Sequence, residues 1–312
     1  MREMVAPPWM RESQRELGIE ARTLVARDGV SIFYEVVGRG DKVMLLANGL
    51  GGRLYSWEPI IRAFSSEYRI ITWDYRGLFE SGAPDRIRRL AIPEHAEDIH
   101  EIMDAEGVKT ATMVGWSMGV QVSLETASLF PERIERLILL NGTYGKALQT
   151  GFQPLFRVPW MNNVLHEFLD FVHARPGIID WARTKVHHAQ PLLRKLGKFY
   201  GTVLYDNPRL EDAMVQYTND LFATDFGNYL RLFQELDAHS VYHLLRNIHQ
   251  PSLIVSGRLD LLTPAYQSKE MSRKLPRSKH ISLPFGSHFV LLEYPDKLVS
   301  LIRGFLDGSI RV

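Results

Sequence analysis

Between residues 21 and 145 short apolar runs alternate with segments of helical periodicity, and few folds accept that alternation. "VMLLANG", "YRIITWD", "TATMVGWS" and "IERLILLNG" are nearly continuous in apolar residues and short. A strand reads this way when both faces of its sheet are covered. Between these runs, "YSWEPIIRAFSSE", "IPEHAEDIHEIMDAEG" and "MGVQVSLETASLF" space their apolar residues in a helix-like way. The second of them also carries Pro near its start and Gly at its end, the usual polarity of helix punctuation. Ahead of the first run, "ARTLVA" and "VSIFYEVVG" flank Asp28-Gly29, a turn signal that predicts an antiparallel hairpin. Repeated strand–helix–strand units predict an α/β fold, a mostly parallel eight-stranded sheet with helices on both faces.

The rhythm breaks after Gly145. About a hundred residues of helical pattern follow without a convincing strand, including "NNVLHEFLDFVHARPG", "DAMVQYTNDLFATD" and "YLRLFQELDAHSVYHLLRNI". Alternation then resumes with "PSLIVSGRLD", "PAYQSKEMSRKLP", "KHISLPFGSH" and a last helix around "PDKLVSLIRGFL". The economical organisation is an N-terminal extension (1–20), one core formed by 21–145 and 246–312, and a helical insertion over 146–245.

Composition narrows the function classes. Lys plus Arg is 37 against 36 for Asp plus Glu, a formal charge of +1, so there is no broad basic footprint for nucleic acid or an anionic membrane. The basic stretch "DRIRRL" is short and reads as a solvated loop. Without cysteine, disulfides, thiolate catalysis and zinc–thiolate sites are excluded. The N-terminal residues mix charge, Pro and scattered apolar side chains and do not resemble a secretory signal. No apolar run approaches the roughly 20 residues of a membrane span. A cytoplasmic protein is the expectation; oligomeric state is not readable.

Three positions carry chemistry. A serine hydroxyl becomes a useful nucleophile when a neighbouring base accepts its proton and a third group orients that base. Ser117 lies in "GWSMG" between a predicted buried strand and a predicted helix, with Gly115 and Gly119 removing Cβ atoms from a tight corner. Asp260 ends "PSLIVSGRLD", and His288 follows the last predicted strand in "LPFGSHF". Taken singly, each has a plain reading: a strand-to-helix turn that contains Ser, an Asx-type turn, a helix start. Taken together, nucleophile, acid and histidine fall in that order at successive strand ends, one of the chain orders in which a Ser–Asp–His triad occurs.

At this point the chain resembles the α/β-hydrolase fold family over nearly all but its first twenty residues. "GWSMG" is similar to the family's nucleophile elbow, "SGRLDLLTP" to its acid loop, "GSHFVLLEYPDKL" to its histidine loop and "ANGLGG" to its oxyanion loop. The resemblance implies Ser117 as nucleophile, His288 as general base and then acid, and Asp260 as the group that orients the histidine. It implies backbone N–H groups of Leu50 and Met118 as the oxyanion hole, and a cap made by the insertion. No cofactor and no metal are expected.

Two positions depart from the family pattern. Asn48 stands where the oxyanion loop usually carries His, and altered loop bonding is expected. "DYRGLFES" has Phe79 in place of the second Gly of D-x-R-G-x-G-x-S, which predicts an altered turn that reshapes the pocket mouth; Asp74, Arg76, Gly77 and Ser81 read as structural. Ser at the elbow points to the acyl-transfer branch, because relatives that open epoxides or cut carbon–halogen bonds carry Asp there. The expected activity is a carboxylesterase-like serine hydrolase acting on a small-to-medium, largely apolar ester. A lactonase or a carbon–carbon bond hydrolase stays open, although Trp116 replaces the Asn usual in the latter, and so does a non-catalytic small-molecule receptor. Aromatics of the insertion, among them Phe152, Trp160, Trp181, Tyr217, Tyr229 and Phe233, pack the cap or line an apolar pocket. His95, His100, His187, His188, His239 and His243 form no recognised ligand motif.

Overall fold

The structure, a computed structural model, describes residues 16–147 and 209–312, with 167, 170–172, 174, 175, 177 and 178 between them. Most of the predicted extension, the segment "NNVLHEFLDFVHARPG" apart from scattered residues, and His187, His188, Phe152, Trp160 and Trp181 lie outside the described residues. The hairpin forms as its turn signal predicts: β1 (Glu20–Val25) pairs antiparallel with β2 (Ser31–Val37), and Gly29 takes a left-handed φ of 86°. The other strands are β3 (Lys42–Ala47), β4 (Tyr68–Trp73), β5 (Ala111–Trp116), β6 (Ile134–Leu140), β7 (Ser252–Gly257) and β8 (Ser278–Leu283). They join in one eight-stranded sheet of order β1-β2-β4-β3-β5-β6-β7-β8, parallel from β4 onward.

The apolar runs are continuous because the sheet is covered twice. Along β3, Val43, Leu45 and Ala47 enter one core cluster while Met44 and Leu46 enter the other. The first cluster takes helices α2 (Ile92–Ala105), α3 (Met118–Leu129) and α6 (Ala265–Lys274); the second takes α1 (Glu58–Phe64), α7 (Val290–Glu293) and α8 (Pro295–Leu306). Each fully buried aliphatic side chain contributes about 1.5–3 kcal/mol relative to exposure. A polar substitution on either face of β3 therefore meets a core. Among the described residues no helix is long and apolar enough to cross a membrane.

Two helices of the predicted insertion are described, α4 (Arg209–Ala223) and α5 (Phe226–Ala238), the latter capped where Asp225 accepts the Asn228 amide. The helical reading of "YLRLFQELDAHSVYHLLRNI" is corrected here. The helix ends at Ala238, His239 is extended (ψ 149°), and Ser240 bridges antiparallel to Gly145. Val241 N–H donates to the Tyr144 carbonyl at 2.8 Å and its side chain is fully buried. Main-chain pairing and burial outweigh the local helical period, so the chain leaves the sheet and returns to it at adjacent points.

In the "DYRG" segment after β4, Arg76 makes a buried ion-pair network. Arg76, with no exposed surface, donates Nε–H to Asp98 Oδ2 (2.7 Å), pairs also with Asp98 Oδ1, and reaches Asp28 in the hairpin turn (2.8 Å) and the Arg89 carbonyl (3.1 Å). One guanidinium thus ties together hairpin, loop and α2. Removing one partner of a buried pair leaves the other charge uncompensated, at a cost of about 3–5 kcal/mol. Arg76→Met is expected to lose about that much stability, read as a lowered urea midpoint, with Asp98→Asn costing less because Asp28 still pairs with the guanidinium.

Candidate active site

Ser117 follows directly on β5 and precedes the first residue of α3, with φ 57° and ψ −117°. A non-glycine residue held there costs about 1–3 kcal/mol, and surrounding structure must enforce it. Backbone packing does so. A Cβ on Gly115 would sit 2.3 Å from the Gly119 carbonyl oxygen, and one on Gly119 would sit 2.0 Å from the Ala47 carbonyl oxygen. The glycines therefore serve close approach between β3, β5 and α3, and the serine takes the strained torsion. Its N–H is held by the Leu140 carbonyl at 3.0 Å.

The three residues singled out in the sequence converge. His288 Nε2 lies 2.9 Å from Ser117 Oγ, and His288 Nδ1 lies 2.9 Å from Asp260 Oδ2. A carboxylate only accepts, so Nδ1 carries the proton and Nε2 is left to accept from the serine hydroxyl. Asp260 is 3% exposed, and its other bonds come from the amides of Leu262 (2.9 Å) and Thr263 (2.8 Å), the Thr263 hydroxyl (2.7 Å) and Asn141 Nδ2. Burial pushes this carboxyl up, but His288, Asn141 and Thr263 outweigh it and hold the group below its ordinary value. It is a fixed anion facing the imidazole.

The histidine is anchored on its other side. Trp116 Nε1 donates to the His288 carbonyl at 3.0 Å, and buried Glu293 accepts from the Ser287 amide at 2.7 Å. Sequence reasoning missed Asn141 and Thr263. Asn141 was visible only as the Asn-Gly that closes a strand; here it has a left-handed φ of 44° and bridges Asp260 to the Ser287 carbonyl. Thr263 was legible as an Asp-x-x-Thr turn ahead of Pro264, a pattern in which the Asp side chain accepts from amides two and three residues on.

Asn48, the first departure, is buried and fully engaged. Its Nδ2 donates to the Trp73 carbonyl (2.7 Å) and Thr72 (3.3 Å), its Oδ1 accepts from Trp57 Nε1 (2.7 Å), and its own carbonyl accepts from the Tyr75 hydroxyl (2.7 Å). The following turn closes with Gly52 N–H on the Gly49 carbonyl at 2.8 Å. Leu50 and Met118 both border a cavity of 210 Å³ that also contains Ser117 and His288. As first residue of α3, Met118 has no intrahelical acceptor for its N–H. The cavity wall is otherwise largely apolar, with Tyr229, Phe233, Leu236 and Phe289 among its residues. A larger cavity of 440 Å³ between α1, α4 and α8 contains none of the three site residues.

Phe79 is not among the residues that line the 210 Å³ cavity. It occupies a left-handed position (φ 53°) and lies under the Arg53 guanidinium, 4.8 Å from ring centroid to Cζ. Arg53 also pairs with buried Asp74 at 3.0 Å, beside Glu35 and Asp220. Burial, then the Asp74 charge, pushes Glu35 up to about 7; burial pushes Asp220 up to about 6. Three of the histidines noted in the sequence have ordinary partners. Buried His95 donates to the Leu90 carbonyl and is driven down to about 3 by burial and by Arg76, His100 stacks on Phe130, and His239 pairs with Glu125.

Comparison with known proteins identifies the fold family. The family model described as alpha/beta hydrolase fold matches residues 42–295. The chain is 28% identical to the "Putative carbamate hydrolase RutD" of Agrobacterium fabrum over 276 residues, covering 88% of this chain and 97% of that protein. Among solved structures, the enol-lactonase from Burkholderia xenovorans LB400 superposes with a TM-score of 0.66 at 21% identity, over 92% of this chain and all (100%) of the other. The esterase EaEST from Exiguobacterium antarcticum gives 0.71 at 17%, over 92% and 100%. At those identities the two structures speak to fold alone.

The raised Glu35 carboxyl has a signed consequence. Between its ordinary value of 4.5 and about 7, the folded chain keeps a proton that the unfolded chain releases, so stability falls as pH rises through that window. Glu35→Gln has no proton to lose. Its thermal midpoint is expected to decline less between pH 5 and pH 8 than that of the wild type, measured by circular dichroism at fixed ionic strength.

Proposed function

Because the chain belongs to the α/β-hydrolase fold family, we propose that it is a serine hydrolase cleaving a small, largely apolar carboxylic ester through an acyl-enzyme on Ser117. One observation carries the reading: a single imidazole within 2.9 Å of both a serine hydroxyl and a buried carboxylate, opening on an apolar cavity. Ser117 Oγ attacks the acyl carbon as its proton passes to His288 Nε2. Asp260 keeps Nδ1 protonated and stabilises the imidazolium that forms. The oxyanion of the tetrahedral intermediate takes hydrogen bonds from the Leu50 and Met118 amides, donors of a kind worth about 3–4 kcal/mol each. His288 returns its proton to the departing alcohol. Water, deprotonated by His288, then attacks the acyl carbon and frees Ser117.

In this reading residues 146–245 form the cap. The Gly145–Ser240 bridge supports it, since an insertion whose ends meet is added to a core without breaking the sheet. So do Tyr229, Phe233 and Leu236, which bring α5 to the cavity. The relative in Agrobacterium fabrum favours a second acyl class, the carbamate, whose cleavage uses the same nucleophile, base and oxyanion donors.

A fluorophosphonate probe is expected to label the wild type and not Ser117→Ala. The same substitution is expected to lower kcat/KM on a p-nitrophenyl acyl series by about 10⁴-fold or more. Tight binding of small esters with neither labelling nor turnover would identify a receptor and sink the proposal. Asn48→His, which disturbs the Trp57 and Trp73 bonds under the oxyanion loop, is expected to change kcat more than KM; an effect confined to KM would count against Leu50 as a donor.

A further inference from the structure

Leu50 sits in the turn Asn48-Gly49-Leu50-Gly51-Gly52, and glycines on both sides of it leave the backbone few steric restraints. Gly51 takes a left-handed φ of 83°. Such a segment does not aim an N–H group by its own torsional preferences; outside bonds must do so. Two are present. On the amino side, the Tyr75 hydroxyl donates to the Asn48 carbonyl at 2.7 Å, from the core loop after β4. On the carboxyl side, the Tyr217 hydroxyl donates to the Leu50 carbonyl at 2.7 Å, from α4. The two tyrosine hydroxyls thus hold the peptide units on either side of the Leu50 amide.

The second tyrosine is the informative one, because it comes from the insertion. Its ring borders the cavity and packs at 5.8 Å edge-on to Phe289 and at 6.4 Å from Trp116, the neighbours of His288 and Ser117. A phenol has one proton to donate, and Leu50 takes it. Burial pushes the Tyr217 phenol up to about 12, so it stays an un-ionised donor across the working range. Gly51 completes the fit: a Cβ there would meet the Tyr229 ring at 3.2 Å and the Tyr217 hydroxyl at 3.4 Å.

We infer that Tyr217 is a positioning residue for the oxyanion hole: its hydroxyl, supplied by α4, fixes the Leu50–Gly51 peptide so that the Leu50 N–H points at the developing oxyanion. This rests on the acyl-enzyme reading of Ser117. It makes the insertion more than a pocket wall, since seating α4 over the site also completes the catalytic donor set. The hydroxyl acts on the transition state and hardly on ground-state binding, so its loss belongs in kcat.

The experiment compares full-length wild type, Tyr217→Phe, Tyr217→Gln and Tyr242→Phe on p-nitrophenyl butyrate, together with the rate of fluorophosphonate labelling. Tyr217→Phe keeps the ring and loses the hydroxyl, which donates to Leu50 and also accepts from Tyr229. Its kcat and its labelling rate are expected to fall together by about tenfold, with KM within about twofold of wild type. Tyr217→Gln, which offers an N–H in place of the O–H, is expected to recover part of the labelling rate. Tyr242→Phe removes a hydroxyl bonded to Glu270 at 2.9 Å on the surface and leaves both constants as in wild type. Circular dichroism at the assay temperature establishes that each variant is folded.

Unchanged kcat and labelling in Tyr217→Phe, or a change confined to KM or acyl-chain preference, would overturn the inference and leave the serine hydrolase standing. A wild type that the probe does not label removes the hydrolase reading and this inference with it.

Discussion

A serine in a left-handed backbone position is an unfavourable arrangement that only close main-chain packing sustains. At Ser117 that packing is the approach of α3 to the carbonyl of Ala47 and of β5 to the start of α3, distances that leave no room for a Cβ on Gly119 or Gly115. The strain at φ 57° is thereby transferred to the residue between them. Much of the site follows from this corner. It places the serine at the junction of β5 and α3, and sets β3 beside β5 so that the glycine turn after β3 arrives next to Ser117.

The parallel sheet then decides which loops can contribute. Strands β5, β7 and β8 run in one direction, so the segments after them emerge at one end. Ser117, Asp260 and His288 lie on those segments, separated by up to 171 positions in the chain and 2.9 Å in space. The loops are also bonded to one another, with Leu259 N–H on the Gly286 carbonyl at 2.9 Å. Asn141, from the end of β6, ties the acid to the histidine loop. The glycine turn is held from two sides, by Tyr75 of the loop after β4 and by Tyr217 of α4.

Much of this was legible from residue order. The Asp28-Gly29 turn, the short apolar runs and the Gly-bounded Ser117 each encode a local preference, and local preferences are what a linear pattern records. The departures were legible as departures: Asn48 and Phe79 stood out against the family's usual His and Gly. Their consequences were not. Asn48 keeps the loop in place by accepting from Trp57 and donating to the Trp73 carbonyl. Phe79 lies beneath the Arg53 guanidinium. The helical period running through His239 and Ser240 misled for a related reason, since pairing with Gly145 is a long-range contact with no local signature.

By itself, then, the sequence determined the strand–helix alternation, the interruption after Gly145 and the three residues on which the proposed chemistry stands, because periodicity, turn chemistry and motif order are properties of neighbours along the chain. Tertiary structure alone decided which atoms support those residues: Asn141 and Thr263 around the carboxylate, Trp116 behind the histidine, Tyr217 on the Leu50 carbonyl. Each of these is a hydrogen bond whose direction and length depend on how separate elements pack. Residue type announces only that a donor or acceptor exists; packing chooses its partner.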